Sequence, residues 1–182
     1  FFTIVDAETG ASYFGGDQEW YTVRWAQRAG CGPVCAANVL SYLAFSQPGL
    51  RGLYAGEDRS RRVFLRHMEE MYAFVTPGGM GLNRVDMYTR GVDAFARSRG
   101  LALAPHVFDV PGCMAGKRPP AEALADFVKK GLEADCPLGF LNLTRGKVRN
   151  IQAWHWITIT GLETGEGGVF AHASDEGEHL RF

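Results

Sequence analysis

The sequence predicts an α+β fold in which helices come first and an antiparallel sheet follows. Helical patterns fill most of the chain up to about residue 135, and apolar strands joined by short polar or glycine-rich connections fill the remainder. The length of 182 residues is enough for one domain with its own core. We therefore expect a single domain over residues 1–182, with a helical lobe over about 1–135 and a sheet lobe over about 136–182.

The N-terminal part is predicted to form two strands and four helices. Proline and glycine mark most of the helix ends, Asn83 is predicted to cap the third helix, and Pro119-Pro120 to open the fourth. The predicted helices cover residues 32–45, 59–74, 84–98 and 119–132, the predicted strands cover residues 1–5 and 101–110, and a loop covers residues 111–120.

The C-terminal part changes character and is predicted to form an antiparallel sheet. Apolar strands are expected over residues 137–143, 154–162 and 169–173. The glycine-rich stretch 163–168 separates the last two and predicts a hairpin loop. An antiparallel hairpin brings the end of the last strand back beside the start of the strand before it.

Composition excludes several classes of function. Lysine and arginine number 19 against 20 aspartates and glutamates, for a net charge of −1, so no strongly basic face for nucleic acid is expected. No apolar run is long enough to span a membrane. The glycine-rich stretch 76–81 lacks the Gly-Lys-Ser/Thr of a phosphate-binding loop, and no cofactor is expected.

Cysteine usage does not indicate a disulfide framework. The four cysteines are scattered along the chain, at Cys31, Cys35, Cys113 and Cys136. This pattern favours a reducing compartment such as the cytoplasm, or a protein that does not depend on disulfide bridges.

Cys31 is the candidate nucleophile, because it stands where a turn becomes a helix. Gly30 and Gly32 can adopt backbone angles closed to other residues, and Pro33 fits a first helical turn. The unpaired N–H groups and the dipole of a helix N-terminus favour a thiolate there. The alternative is a small buried thiol with no chemical role, which is the interpretation we give to Cys35.

His155 is the candidate base, at the start of an apolar strand where a polar ring needs a partner. Asp175 follows the next strand and is the candidate group that orients the imidazole, with Ser174 and His172 as alternatives. Among the other histidines, His67 lies on a polar helix segment and is a weaker candidate.

An oxyanion formed at this site would need two hydrogen-bond donors. The backbone N–H of Cys31 supplies one, and the side-chain amide of an upstream glutamine supplies the other. The sequence offers Gln18 and Gln27 for this role and leaves the choice open.

This set of residues resembles the papain-like cysteine peptidase superfamily, and within it the bacterial branch of bacteriocin-processing, double-glycine leader peptidases. The resemblance depends on Cys31-Gly32-Pro33 followed by a helix, on His155 opening an apolar strand that ends at Gly161, and on an aspartate at the next strand. It implies a central nucleophile helix packed on a C-terminal sheet. It also implies Cys31 as nucleophile, His155 as general base and acid, and Asp175 as the orienting residue.

The resulting expectation is a thiol hydrolase that cleaves a peptide or amide bond in a peptide or amide-containing substrate. One alternative keeps the acyl-enzyme and transfers the acyl group to an amine or thiol. Another alternative is a module without catalytic activity that binds a peptide, or binds a metal through Cys31, Cys35 and one of His155 and His172.

Overall fold

The computed structural model describes residues 2–112 and 116–182 and has the α+β architecture that the sequence predicts. Helices precede a C-terminal four-stranded antiparallel sheet. Phe1, the first residue of the predicted N-terminal strand, lies outside the described residues. Cys113 and the middle of the loop predicted over 111–120 also lie outside them.

The four predicted helices are confirmed, with boundaries shifted by one or a few residues. A short helix that precedes the first predicted helix was not predicted. Asn83 does not cap the third predicted helix, because the N-cap of that helix is Arg84. The helices of the described chain are α1 (Arg24–Ala29), α2 (Cys31–Ser46), α3 (Arg61–Phe74), α4 (Val85–Ser98) and α5 (Ala121–Glu133), with 3₁₀ segments at Gln18–Trp20 and Pro48–Leu53.

The strands of the described chain are β1 (Ile4–Val5) and β2 (Ser12–Tyr13), which form a separate pair, and β3 (Leu138–Asn142), β4 (His155–Gly165), β5 (Gly168–Asp175) and β6 (Glu178–Arg181), which form the main sheet. The main sheet has the order β3-β4-β5-β6, with every neighbouring pair antiparallel. The loop predicted over 163–168 is instead a two-residue turn, because β4 and β5 extend until Gly165 pairs with Gly168. Strand β6 was not predicted.

The strand predicted over 101–110 is wrong. This segment has no regular structure and pairs with no strand of the described chain, and the apolar Val107 and Val110 are exposed. A β-propensity pattern forms a strand only where a neighbouring strand can accept its hydrogen bonds.

The helix α2 runs through the centre of the molecule. Ala36, Ala37 and Leu40 in its middle are fully buried, and it packs against α3 on one side and β4 on the other. Successive side chains of a strand point to opposite faces of a sheet. Accordingly Thr158 of β4 contacts α2, whereas the flanking Ile157 and Ile159 pack in the cluster that includes α5. The sheet therefore lies between α2 and α5.

Within the described residues, no helix combines the length and the apolar character that crossing a membrane requires.

Candidate active site

Cys31 is the first residue of α2, and its thiol is partly exposed. Helix α1 ends at Ala29, and a single residue, Gly30, separates it from Cys31. The φ angle of Gly30 is −85°. The first N–H groups of a helix have no intrahelical partners, so they point toward the space around the thiol. The structure thus places the predicted nucleophile at a helix N-terminus, as the sequence indicates.

Glycine is needed beside Cys31 because of close packing, and not because of unusual backbone angles. Neither Gly30 nor Gly32 has a positive φ, which corrects the expectation from sequence. A Cβ atom on Gly30 would collide with the carbonyl oxygen of Ala26, and one on Gly32 would collide with the side chain of Leu82. The two glycines therefore let neighbouring segments approach the start of α2 closely.

Cys35 lies one helical turn after Cys31 on α2 and, unlike Cys31, is buried. It is 1% exposed, and its thiol donates to the carbonyl oxygen of Ile157 at 3.3 Å. Burial raises the pKa of the Cys35 thiol to about 11. A buried, protonated thiol with a hydrogen-bond acceptor is a packing residue.

His155 and Asp175 form a hydrogen-bonded pair at the adjoining ends of β4 and β5. The Nε2 atom of His155 lies 2.7 Å from Oδ1 of Asp175, and both side chains are largely buried. Donation from Nε2 to the carboxylate leaves Nδ1 to face a second partner. Cys31 lies on the same side of the site as this ring and is one of the groups that raise the pKa of His155. The structure therefore brings Cys31, His155 and Asp175 together around one small cavity.

The environment of His155 favours its protonated form. Burial acts against the charged ring, but the hydrogen bonds and charges of Asp175 and Cys31 outweigh burial and raise the pKa of His155 to about 10. A protonated ring places a positive charge beside the Cys31 side chain, and a neighbouring positive charge is typical of activated cysteine nucleophiles.

This electrostatic account predicts how His155 titrates. We expect the His155 ring, followed by NMR, to titrate near pH 10 in the wild-type protein and at lower pH in Asp175→Asn or Cys31→Ala. In the double variant only burial acts, so the midpoint should fall below the ordinary value of about 6.5. Because the folded-state pKa is raised, the stabilisation from this contact is complete below about pH 6.5 and is lost as the pH rises through about 10. Midpoints that do not move in the single variants would contradict the account.

The residue before His155 adopts a backbone conformation that is rare for its type. Trp154 has φ of 58° and its side chain is 57% exposed. This left-handed conformation costs roughly 1–2 kcal/mol for a residue other than glycine. The side chain of Asn142 on β3 donates to the carbonyl oxygen of Gln152 at 2.6 Å and helps to hold the segment that leads into His155.

The two candidate glutamines occupy different places. Gln27 lies on α1, and its amide donates to the carbonyl oxygens of Tyr21 at 2.8 Å and Glu19 at 3.3 Å. Gln18 opens the first 3₁₀ segment and lines the same cavity as Cys31, and its Oε1 atom is buried with no hydrogen-bond partner among the described residues. Of the two glutamines, Gln18 is therefore the one at the cavity beside the thiol.

The cavity beside Cys31 is small. Its volume is about 10 Å³, which is room for roughly one water molecule or one oxygen atom of a ligand. Its lining includes Cys31, His155, Asp175, Gln18 and Asn38. A larger cavity of about 350 Å³ lies elsewhere, between α2, α5 and β4, and none of the predicted site residues lines it.

The alternatives for the third residue are engaged elsewhere. The hydroxyl of Ser174 accepts from Asn38 at 3.3 Å. The ring of His172 contacts Nε2 of His179 through Nδ1 and Glu163 through Nε2, each at 3.0 Å. Of the three sequence candidates, the structure places Asp175 on the His155 ring.

The metal-binding alternative gains no support from side-chain placement. Within residues 2–112 and 116–182, no group of three or more histidine, cysteine, aspartate or glutamate side chains is arranged to hold a metal ion. The described cysteines, Cys31, Cys35 and Cys136, are free thiols.

Comparison with known proteins does not assign the chain to a family. No family model, no curated protein and no solved structure matches it. The interpretation of the site therefore depends on its own geometry.

Asn38 lines the cavity and was not among the residues predicted from sequence. It stands three residues after Cys35 and seven after Cys31, which places all three side chains on one face of α2. An asparagine on the nucleophile's face of an alanine- and leucine-rich helix is the signal that could have identified it.

Proposed function

We propose that the chain is a cysteine-dependent hydrolase that cleaves a peptide or amide bond through an acyl-thioester, with Cys31, His155 and Asp175 in a papain-like arrangement. One observation carries the proposal: the His155 ring contacts the carboxylate of Asp175 through Nε2, and this pair lines one small cavity together with Cys31. This is the geometry that a nucleophile, its base and an orienting group require.

In the first half of the proposed reaction, the Cys31 thiolate attacks the carbonyl carbon of the substrate and a C–S bond forms. The developing oxyanion accepts hydrogen bonds from the Cys31 backbone N–H and from the amide of Gln18. The C–N bond then breaks as the His155 imidazolium gives its proton to the departing amine. A carbonyl oxygen has the size that the small cavity beside Cys31 accommodates.

In the second half, water releases the acyl group. Neutral His155 takes a proton from water, and the hydroxide adds to the thioester carbon. The C–S bond breaks, the acid product leaves, and Cys31 and His155 return to thiolate and imidazolium. Throughout, Asp175 holds the ring orientation and stabilises its charged form.

The nucleophile is tested by acylation with p-nitrophenyl acetate at pH 6, where an unassisted thiol is mostly protonated. We expect release of p-nitrophenolate and a single acetyl group on the peptide that contains Cys31. The rate should be at least about 100-fold above that of N-acetylcysteine, in line with acid–base assistance. Cys31→Ala should abolish this reaction. Cys136→Ser alters a partly exposed thiol that lies away from the small cavity beside Cys31, and this variant should retain the reaction.

Turnover of a mixture of peptide 7-amido-4-methylcoumarin substrates then tests hydrolysis. Fluorescence should rise in plain buffer, be lost in Cys31→Ala and persist in Cys136→Ser. Equal acylation rates in the wild-type protein and Cys31→Ala would overturn the assignment. Acylation that proceeds to free product only after an amine is added would identify a transferase.

A further inference from the structure

Asn38 connects every element that carries a residue of the proposed site. Its Oδ1 atom accepts from the backbone N–H of Gly16 at 2.9 Å, and its Nδ2 atom donates to the hydroxyls of Thr158 and Ser174, each at 3.3 Å. Asn38, Thr158 and Ser174 are each at most 2% exposed. These contacts form a buried polar network without competing solvent.

Each link of the network ends close to a proposed site residue. Thr158 lies three residues after His155 on β4, and Ser174 directly precedes Asp175 on β5. Gly16 lies two residues before Gln18. Asn38 itself belongs to α2, which begins at Cys31.

The loop before Gln18 is fixed to this network on both sides. Gly15 has φ of 102°, and a Cβ atom there would collide with the Ser174 hydroxyl and the Asn38 amide. The neighbouring Gly16 accepts from the N–H of Gly177 at 3.1 Å, in the turn that follows Asp175. The loop therefore packs directly on Asn38 and on the turn between β5 and β6.

An amide is the side chain that meets these demands. The Gly16 N–H needs an acceptor, and Asn38 gives one N–H to each of two hydroxyls. A carboxylate would lose both donors and bury a charge, and an aliphatic side chain would lose all three bonds. Because both amide hydrogens are used within the network, none remains for a substrate, and Asn38 acts through other residues.

We propose that Asn38 is the positioning residue of the site: one buried amide fixes the spacing between the Cys31 thiol, the His155–Asp175 pair and the Gln18 amide. This inference rests on the proposed function for its catalytic consequence. Displacing reacting groups by about 1 Å can cost about 100-fold in rate. Because Asn38 belongs to α2 and hydrogen-bonds three other segments, its loss is expected to lower the rate of acylation.

The test uses Asn38→Leu, which keeps the approximate volume and removes all three hydrogen bonds. We expect acylation of Cys31 by p-nitrophenyl acetate to slow about 100-fold while circular dichroism shows a folded protein. We also expect the NMR titration midpoint of His155 to move below its wild-type value of about 10, although His155, Asp175 and Cys31 are unchanged. A purely structural role would lower the unfolding temperature without shifting this midpoint.

Two milder variants keep the inference testable if Asn38→Leu does not fold. Ser174→Ala and Thr158→Val each remove one hydrogen bond, and each should slow acylation by about 10-fold. Where Asn38→Leu folds, adding Ser174→Ala to it should slow acylation no further, because the shared bond is already lost. Cys136→Ser is the control and should leave the rate and the midpoint unchanged.

The outcomes separate this inference from the proposed function. A folded Asn38→Leu with wild-type acylation and a wild-type His155 midpoint overturns the positioning role alone. The same conclusion follows if both milder variants behave as wild type. Failure of the wild-type protein to acylate Cys31 overturns the proposed function. The midpoint, which needs no substrate, then still shows whether Asn38 holds the pair in place.

Discussion

Replacing His155 with alanine is expected to slow acylation of Cys31 at pH 6 by about 10³-fold, within the range that general acid–base assistance contributes. The physical reason is the loss of the imidazolium that stabilises the thiolate and later protonates the leaving group. The measurement is the rate of p-nitrophenolate release, with the acetylated peptide identified by mass spectrometry. Thermal unfolding of the variant shows whether the fold is retained.

His172→Ala is the matched control for this experiment. His172 also pairs with a carboxylate, through Nε2 to Glu163 at 3.0 Å, and lies on the neighbouring strand β5. It does not line the cavity beside Cys31, so its removal should leave the rate within about 2-fold of wild type. If His155→Ala and His172→Ala slowed acylation equally, the location of His155 beside the Cys31 thiol would have no effect on the rate. That result would contradict the proposed role of His155.

The parts of the site that local sequence rules govern were predictable. A turn that becomes a helix at Cys31 follows from glycine, proline and helix-forming residues within a few positions. The two strands predicted over 154–162 and 169–173 follow from apolar runs bounded by turn signals, and in the structure they extend to His155–Gly165 and Gly168–Asp175. Hairpin geometry then brings the two residues to the same end of the sheet.

The parts that depend on long-range packing were not predictable in the same way. Spacing along the chain could not choose between Gln18 and Gln27. The choice depends on which amide lies at the cavity and which is bonded to backbone carbonyls nearby. Similarly, Asn38 gains its three partners only when segments more than 20 residues away fold against α2.

Tertiary packing also overrides propensity elsewhere in the chain. Residues 101–110 have strand-like composition but lie where no strand is available to pair. Strand β6 is short and polar, and it forms because the edge of β5 can accept it. His67 was placed on a polar helix segment because charged residues surround it in sequence. His67 follows Phe64 by three residues, which places it on the buried face of α3, and it is only 3% exposed.

The buried His67 is expected to make the fold sensitive to acid. Its ring packs among the aromatic rings of Tyr54, Phe64 and Phe95, at centroid distances of 4.8 to 6.0 Å, and neither ring nitrogen has a hydrogen-bond partner among the described residues. Burial lowers the pKa of His67 to about 3; the nearby Ala37 backbone acts in the opposite direction without outweighing burial, and the charge of Arg99 acts in the same direction as burial.

Acid should lower the free energy of unfolding, because the unfolded chain binds a proton at His67 more readily than the folded chain does. The unfolded chain binds a proton at His67 near pH 6.5, whereas the folded chain binds one only near pH 3, so acidification between these values favours unfolding. Each pH unit in this window costs about 1.4 kcal/mol, which gives about 2 kcal/mol at pH 5. In His67→Leu this contribution is absent, and two unpaired nitrogens are removed from the core, so the variant should be at least as stable as wild type at pH 7.

Urea unfolding at pH 7 and pH 5 provides the measurement. The wild-type free energy of unfolding should fall by about 2 kcal/mol more than that of His67→Leu between these two values, because all other titrating groups are common to both proteins. His106→Gln, at an exposed histidine, is the control and should show the wild-type dependence on pH. If His67→Leu lost as much stability as wild type on acidification, His67 would have to bind its proton equally well in both states. That result would contradict its burial as a neutral ring between α3, α4 and Tyr54.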